Sequence, residues 1–563
     1  MSEVTVTNNL PAAVPQVIQT KLDRAISRFF PAWGLERMRN RTTMLLTNQF
    51  YGSMGAYDGA SVTRRETNSW IPFASDADTA SVLDLPALRA RSRDANRNQP
   101  IAGGALATVG TNVVGPGLSL HCQIDADFLG LGDDAADAWQ IDTERKFALW
   151  AESQECDVTR TQNFFGLQAL AFNSCLENGD VFTLMPRMKR PGSPFMLKLQ
   201  LIEADRISNP NFGLNTTTRM AGVERDEAGA PIGYWIQKQH PGAAITMNWN
   251  MFSWDYYAAF GAKTGQRNVI HLYDKARIGQ TRGIPYLAPI LEPLKMLGRY
   301  TQAELMAAVV SGMFSVFVKT AGAQGLAGLP TAPGANPVVT LGQQNVPDQQ
   351  KDLTLGNGLV LELNPGESIE TANPGRPNTA FDGFVQSIVR QIGMRLEIPY
   401  EVLVKHYESS YSAARAAMLD AWKFFNKKRQ WLADSFCQLV YEAWLDEAIA
   451  AGFIEAPGYF SDPFVQKAYR GALWIGPPKG QIDELKEVNA AEKRNALGYT
   501  TAEEETMAFN GSSWAMKQRR RIKERQMREE AGLPTPGAAA REMLVDQTAP
   551  DNKKTEQQEV EAA

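Results

Sequence analysis

The chain has 563 residues and a net charge of −5, with 57 Lys and Arg against 62 Asp and Glu. At roughly 100–200 residues per domain, this length predicts three or four structural units, and an apolar fraction of 44% is sufficient to build their cores. Proteins that wrap nucleic acid tightly are usually strongly basic. Any contact of this chain with DNA should therefore be local and loose.

Cysteine and histidine are scarce, with four of each in the chain. Their scatter argues against a disulfide framework, a metal site or a histidine-based triad, so no cofactor and no metal are predicted. Residues 1–20 lack the pattern of a secretory signal and are expected to be flexible. The longest apolar run, 305–318, is shorter than the roughly 20 residues that span a bilayer, which favours a buried helix and no membrane role.

The first half of the chain has a mixed pattern. A helix is predicted over 85–113, where arginines outnumber acids, and another over 134–152, where Trp139, Phe147 and Trp150 recur near helical spacing. Strands are predicted at 181–184, 196–201, 232–236 and 269–273, with turns at 178–180 and 227–229. This half is therefore expected to form an α+β body.

Helices dominate the second half. The pattern predicts helices over 286–318, 379–397 and 412–451, with Pro399 ending the second and Gly452 the third. A loop rich in Gly, Ala and Pro covers 321–336, and short strands follow within 337–373. A polar, aromatic loop is predicted at 400–411, a charged helical segment at 481–531 and a disordered tail beyond it.

Motifs for chemistry are missing from the sequence. A phosphate-binding loop needs a glycine directly before its lysine, and the sequence Gly261-Ala262-Lys263-Thr264 lacks it. Paired carboxylates such as Asp133-Asp134 lie in charged helical segments, where solvated surface is the expected role. The sequence therefore predicts that the chain is not an enzyme and has no catalytic residues.

Two polar clusters are candidate sites. The segment 517–528 holds seven basic residues against one acid, and it is either a solvated helix face or a contact with DNA or an acidic partner. Its candidate residues are Lys517, Arg519, Arg520 and Arg521. The loop between the second and third long helices has no apolar pattern to bury it. Its candidate residues are Lys405, His406, Tyr407, Ser409, Ser410 and Tyr411.

Several short phrases occur in a characteristic order along the chain. They are LRARSRD at 88–94, NVVGPG at 112–117, ENGDVF at 177–182, LQLIEADR at 199–206, IHLY at 270–273, QTRGIP at 280–285 and AELMAA at 303–308. In their order and spacing across residues 85–530, these phrases make the chain specifically similar to the lambda-type portal proteins of tailed bacteriophages.

The resemblance implies a portal-type subunit that assembles into a ring, typically of twelve copies, at one vertex of the capsid. The expected parts are a flexible segment (1–24), an α+β wing (25–285), a first stem helix (286–318), a clip (319–378), a second stem helix (379–399), a tunnel loop (400–411), a long wing helix and joint (412–479), a helical crown (480–531) and a disordered tail (532–563).

The same resemblance implies the partners. They are other copies of the chain, the terminase large subunit, the major capsid and scaffold proteins, a head–tail connector protein, and double-stranded DNA without sequence specificity. The expected location is the virion, with the host cytoplasm during assembly, and the expected role is DNA packaging and ejection. The alternatives are another virion structural protein, such as a neck or baseplate component, or an enzyme with an unfamiliar site.

Overall fold

A computed structural model describes residues 40, 57–61, 64–72, 74–243, 252–312, 316–320, 367–371, 381–407, 410–480 and 483–533. The chain divides into two compact units, Met1–Ala80 and Ser81–Ala563. In the first unit the described residues include a single 3-10 turn, Asp58–Ala60. The predicted flexible segment, the 321–336 loop and nearly all of the predicted disordered tail lie outside the described residues.

The first half of the chain alternates helices and strands as the sequence predicts. In chain order the elements are α1 Ala77–Ser81, α2 Leu85–Asn98, α3 Pro100–Val113, β1 Ser119–Cys122, α4 Ala126–Leu129, α5 Asp133–Ala151, α6 Phe164–Asn178, β2 Asp180–Leu184, β3 Gln200–Glu203, β4 Arg219–Met220, β5 Val223–Arg225, β6 Pro231–Gln237, β7 Trp254–Ala258 and β8 Val269–Tyr273.

The strands form small antiparallel sheets. One has the order β3-β2-β8 and another the order β4-β5-β6-β7. In the first, Phe182 lies opposite Ile202 on one side and His271 on the other. The predicted strands at 181–184, 232–236 and 269–273 are confirmed. The run 196–201 becomes a strand only from Gln200, since Leu197 and Leu199 form isolated bridges.

The second half is mainly helical. In chain order the elements are α7 Leu291–Gly312, β9 Val316–Thr320, β10 Glu367–Thr371, α8 Phe381–Arg395, α9 Tyr400–Val404, α10 Tyr411–Leu432, α11 Gln438–Ala450, α12 Pro463–Tyr469, β11 Ala472–Ile475, α13 Glu484–Ala496, α14 Ala502–Asn510 and α15 Trp514–Glu530. Strand β11 pairs with β1, and β9 pairs with β10.

Several predicted bounds are wrong for local reasons. The helix predicted over 85–113 is two helices, because Pro100 forces Gln99 into an extended conformation. The helix predicted over 286–318 ends at Gly312, and Val316 and Val318 enter an antiparallel hairpin. This is the arrangement that β-branched residues favour. No described helix is both long and apolar enough to cross a membrane.

The long helix predicted over 412–451 is present, but it is not uniform. A π-helical turn, Ala433–Cys437, joins α10 to α11. The extra residue in that turn shifts the buried face, so that Tyr441 and Trp444 are fully buried while Leu439 and Ala443 are only partly buried against the same core. Gly452 follows with a φ of 74°, and it ends the helix as predicted.

Among the described residues, two hydrophobic cores hold the unit Ser81–Ala563 together. The larger one includes residues from α2, α3, α5, α6, α10 and α11, and also the first turns of α7 and the end of α8. At its centre the Phe147 ring contacts the rings of Trp150, Phe164, Tyr441 and Trp444 at centroid distances of 5.1–5.8 Å. The smaller core lies between β2 and β6. We call residues 85–285 with α10, α11 and β11 the body.

Candidate functional site

A buried charge cluster lies where the body meets α7. The Asp180 carboxylate, at the start of β2, is 0% exposed. It accepts hydrogen bonds from Arg89 Nη2 at 2.8 Å, Arg282 Nε at 2.6 Å and the Gly283 backbone N–H at 3.2 Å. Burial alone would raise the pKa of Asp180. The guanidinium groups of Arg282 and Arg89 outweigh burial and hold that pKa well below its ordinary value.

The same cluster fixes the chain segment that leads into α7. The Arg282 guanidinium donates to the carbonyl oxygens of Ala204 at 2.8 Å, Ile207 at 3.0 Å and Ala221 at 2.7 Å. Gly283 lies against Gly179 so closely that a Cβ on Gly283 would come within 1.9 Å of the Gly179 carbonyl oxygen. Both positions therefore require glycine, and the joint between body and helix is rigid.

The helices α7 and α8 form a pair that leaves the body together. Tyr286 donates its backbone N–H to Leu176 O at 2.9 Å and its hydroxyl to Leu396 O, which ties both helices to the body. Further along, the Tyr300 ring contacts the rings of Phe381 and Phe384 at 5.6 and 5.0 Å. The two helices are thus held to the body and to each other.

One side of this pair is not covered by any of the described residues. Leu305 is 64% exposed, and Met306 and Val309 beside it are also exposed. The prediction of a buried helix is therefore wrong for these three residues in the single chain, while the side chains of 310–318 lie outside the described residues. Apolar residues grouped on an exposed helix face are typical of a surface that another protein covers.

The candidate loop residues lie between α9 and α10. The predicted loop 400–411 begins as a helix, since Val402 and Leu403 pack into the large core. Lys405 then adopts a left-handed conformation with a φ of 55° and caps that helix. His406 and Tyr407 are exposed. We call residues 405–410 the α9–α10 turn.

The end of that turn starts the next helix. Ser410 Oγ accepts a hydrogen bond from the Ala413 N–H at 3.4 Å, which makes Ser410 the N-cap of α10, and Tyr411 is the first residue of that helix. Ser409 lies outside the described residues. The structure therefore brings Lys405, His406, Tyr407 and Ser410 into one short turn.

The basic candidates lie on a separate element. Lys517, Arg519, Arg520 and Arg521 belong to α15, a helix with no buried residue. Arg520 Nε lies 3.5 Å from Glu524 Oε1, one helical turn away. Such exposure is compatible with a solvated face and with contact to a polyanion, so both interpretations of this segment stay open.

A cluster of possible metal ligands was not foreseen from the sequence. Ligand atoms of Glu203, Asp205 and His240 lie within 4.8 Å of one another. The Arg93 guanidinium already lies 3.3 Å from the Glu203 carboxylate and bonds to Asp205. Since a fixed cation neutralises these carboxylates, the cluster fits an ion-pair network better than a metal site.

Sequence reasoning also missed the Asp180 cluster. Its members stand in three of the phrases quoted above, LRARSRD, ENGDVF and QTRGIP, and Asp180 was assigned to a turn. The available signal was an aspartate directly before an apolar strand. A buried carboxylate needs cationic partners, and arginines stood in a neighbouring phrase. The pairing itself could not be read from the sequence.

Among the described residues, the buried Asp180 is thus paired with two arginines, and an apolar helix face is left uncovered, as in a subunit that assembles with others. The family model for phage portal protein, lambda family, matches residues 63–429, which is more than half of the chain, and the chain belongs to this family. The expected α+β fold and portal function are confirmed by this membership. The protein is a structural component of a phage particle.

Individual relatives cover most of the chain. It is 26% identical to portal protein B of Escherichia phage lambda over 86% of this chain and 92% of the relative, and 26% identical to the portal protein of Escherichia phage N15 over 87% and 92%. A probable portal protein of Halomonas phage phiHAP-1 is 25% identical over 74% and 77%.

Solved structures give weaker matches. A chain from the neck of a native gene transfer agent particle, computed with C12 symmetry, matches with a TM-score of 0.42 and 12% identity over 75% of this chain and 92% of that chain. A chain from the neck of an empty particle, computed with C6 symmetry, matches with a TM-score of 0.38 and 14% identity over 84% and 100%.

Proposed function

We propose that twelve copies of this chain close into a ring at one vertex of the capsid, and that DNA enters and leaves through the axis of the ring. The observation that most supports this proposal is the α7–α8 pair, which is fixed to the body and has an uncovered apolar side at Leu305, Met306 and Val309. A ring of identical subunits needs head-to-tail contacts that close. A fixed helix pair with one apolar side supplies such a contact at a constant angle.

The parts of the subunit follow from this arrangement. The body and residues 25–84 form the wing, and helices α7 and α8 form the stem. Residues 319–378, which include strand β10, form the clip. Helices α13–α15 form the crown. In this proposal the α9–α10 turn points toward the channel. A mildly acidic chain suits a channel, because dense phosphate contacts would hold the DNA in place.

The remaining partners supply what the ring lacks. The terminase large subunit docks on the ring and hydrolyses ATP, while this chain has no catalysis of its own. The major capsid and scaffold proteins surround the ring as it assembles in the host cytoplasm, and a head–tail connector protein binds once the head is full. The duplex is contacted through its backbone, without reading of sequence.

Replacing part of the turn tests the channel role. Lys405, His406 and Tyr407 would be changed to Gly and Ser, while Ser410 stays as the N-cap of α10. Rings should form normally, but packaged DNA should fall in amount or leak from the particles, since the contacts with the duplex are gone. A matched control changes Glu227 and Ala228, in an exposed turn of the body, to Ser and Gly. Unchanged packaging by the first variant would remove the turn from the mechanism.

The basic helix is tested separately. Changing Lys517, Arg519, Arg520 and Arg521 to Gln should weaken the binding of duplex DNA by purified rings and flatten its salt dependence, because each lost phosphate contact removes about one released counterion. The measurement is DNA affinity at several salt concentrations. An unchanged salt slope would leave α15 as a solvated helix.

A further inference from the structure

A cavity of about 320 Å³ lies behind the α9–α10 turn. Its walls come from α3, α9, α10, α13 and the segment 479–480. We call it the turn pocket. A cavity of this size accommodates one or two side chains of a ligand, at the lower end of the roughly 300–1,000 Å³ usual for binding sites.

One wall of the turn pocket is the buried residue Thr108, on α3, which is 7% exposed. Its Oγ1 makes no hydrogen bond with any described residue and is itself out of contact with solvent. The neighbouring Asn112 amide donates to the Thr108 backbone carbonyl at 2.8 Å. Thr108 therefore offers a ligand no accessible polar group, and a ligand has to be held by the charged rim and the floor of the pocket.

The charge of the turn pocket is positive. Among the ion pairs of the described residues, only Arg415 Nη2 with Glu487 Oε1, at 2.8 Å, lies in this pocket, and these two charges compensate each other. Lys405 and Lys479 also line the pocket, which gives it two uncompensated positive charges. Its ligand should accordingly be an anion.

The floor of the pocket is apolar and mainly aliphatic. Val402 and Phe425 are buried, and Met418 lies beside them. The one indole in the lining, Trp422, already has the Arg429 guanidinium 5.0 Å from the centre of its ring. At the rim, Tyr407 is 50% exposed and offers a ring on which a nucleotide base could stack, so the test of the pocket includes an oligonucleotide. The floor itself, formed by Val402, Met418 and Phe425, fits an apolar side chain of a peptide.

We propose that the turn pocket binds an acidic peptide segment of a partner protein. One apolar side chain lies on the floor formed by Val402 and Met418, and carboxylates of the peptide bind Lys405 and Lys479. The proposal does not depend on whether the α9–α10 turn touches DNA. Because Lys405 belongs to that turn and Glu487 to α13, the peptide would contact both elements at once.

The test uses the purified full-length protein and a fluorescent pool of hexapeptides in which Asp or Glu alternates with Leu, Met or Phe. We expect saturable binding below about 1 mM. Lys405→Gln combined with Lys479→Gln should weaken it by about tenfold or more, since two charge-assisted contacts are lost. Met418→Trp should block it by filling the floor. Lys427→Gln, on an exposed part of α10, is the matched control and should bind as the unchanged protein does.

The unfolding temperature of the double-lysine variant separates binding from folding, since it should stay unchanged while the peptide affinity falls. Peptide affinity that is unchanged in that variant would overturn the proposal. So would tighter binding of hexathymidylate than of the acidic pool, or the absence of saturation by the pool.

Discussion

The interior of the body and the three C-terminal helices are built in opposite ways. In the body even charged groups are buried, and Asp180 accepts hydrogen bonds from two distant parts of the chain, at Arg89 and at Arg282 and Gly283. Helices α13, α14 and α15 contain no buried residue, while Leu485 is 72% and Tyr499 76% exposed. Short helices gain most of their stability from packing. The body is therefore packed around a core of its own, whereas the C-terminal helices depend on contacts with neighbouring elements.

What holds the C-terminal helices within one chain is mostly local and polar. Thr501 and Glu504 form a capping box at the start of α14, and Arg494 binds Glu505 through two hydrogen bonds of 2.7 and 2.8 Å. Contact with the body includes the ion pair of Arg415 with Glu487 and the approach of His121 to Glu503. Contacts of this kind orient helices but contribute little stability.

The largest effect is expected in the body. Asp180→Asn leaves Arg282 buried without a counter-charge and leaves Arg89 with only Asp205, at 3.8 Å, which should cost about 3–5 kcal/mol of unfolding free energy. The measurement is urea unfolding followed by tryptophan fluorescence. The control is Asp142→Asn, which removes a partly exposed pair with Lys146 at 2.6 Å and should cost less than about 1 kcal/mol. Equal losses in the two variants would contradict the difference drawn between buried and surface charges.

A smaller effect, visible only in assembly, is expected at the uncovered side of α7. Burying one leucine contributes about 1.5–3 kcal/mol, so Leu305→Asp should raise the concentration needed for ring assembly by about 10- to 100-fold. Mass photometry across a dilution series measures it, and the urea midpoint of the body should stay unchanged. Gln302→Ser, at an exposed position on the same helix, serves as the control. Normal assembly by the Leu305 variant would place the subunit contact elsewhere.

The smallest effect concerns how the C-terminal helices attach to the body. The His121 ring lies 3.1 Å from Glu144 and 3.7 Å from Glu503, and its hydrogen bond with Glu144 raises the pKa of His121. The ion pairs of His121 with the two glutamates stabilise the attachment only when His121 is protonated. Their contribution to stability is therefore fully present below the ordinary histidine pKa of about 6.5, and it is lost as the pH rises through the raised pKa of His121.

The rate of amide hydrogen exchange in α14 measures how the attachment of this helix depends on pH. Exchange should speed up a few-fold between about pH 6 and pH 8.5, beyond the intrinsic effect of pH, which corresponds to the roughly 0.2–1 kcal/mol of a surface pair. His121→Gln should remove the extra pH dependence. The same pH dependence in that variant would mean that another group controls the attachment.

Local patterns predicted the elements well where neighbours in sequence decide the structure. The strand at 269–273 has the predicted bounds, and Gly452 ends the long helix as expected. Long-range pairing was not predictable, since Asp180 bonds to residues 91 and 102 positions away. The uncovered side of α7 was misjudged because an apolar run does not say whether its own chain or another covers it.

The candidate site was predicted in part. The sequence located a polar turn before the long helix, but it did not show that Val402 and Leu403 anchor a short helix there, nor that Thr108 and Lys479 come close to that turn. The break at Pro100 and the π-helical turn at Ala433–Cys437 were also unforeseen. Proline was a readable signal in the first case, whereas a π turn has no comparable one.

Electron microscopy of the purified full-length protein tests the central claim most directly, namely that the uncovered surfaces of the subunit are closed by identical neighbours. We expect rings with an open axis wide enough for a DNA duplex, with α7 and α8 at the contacts between neighbouring subunits. Single subunits at high concentration, or closed particles with a filled centre, would contradict the account.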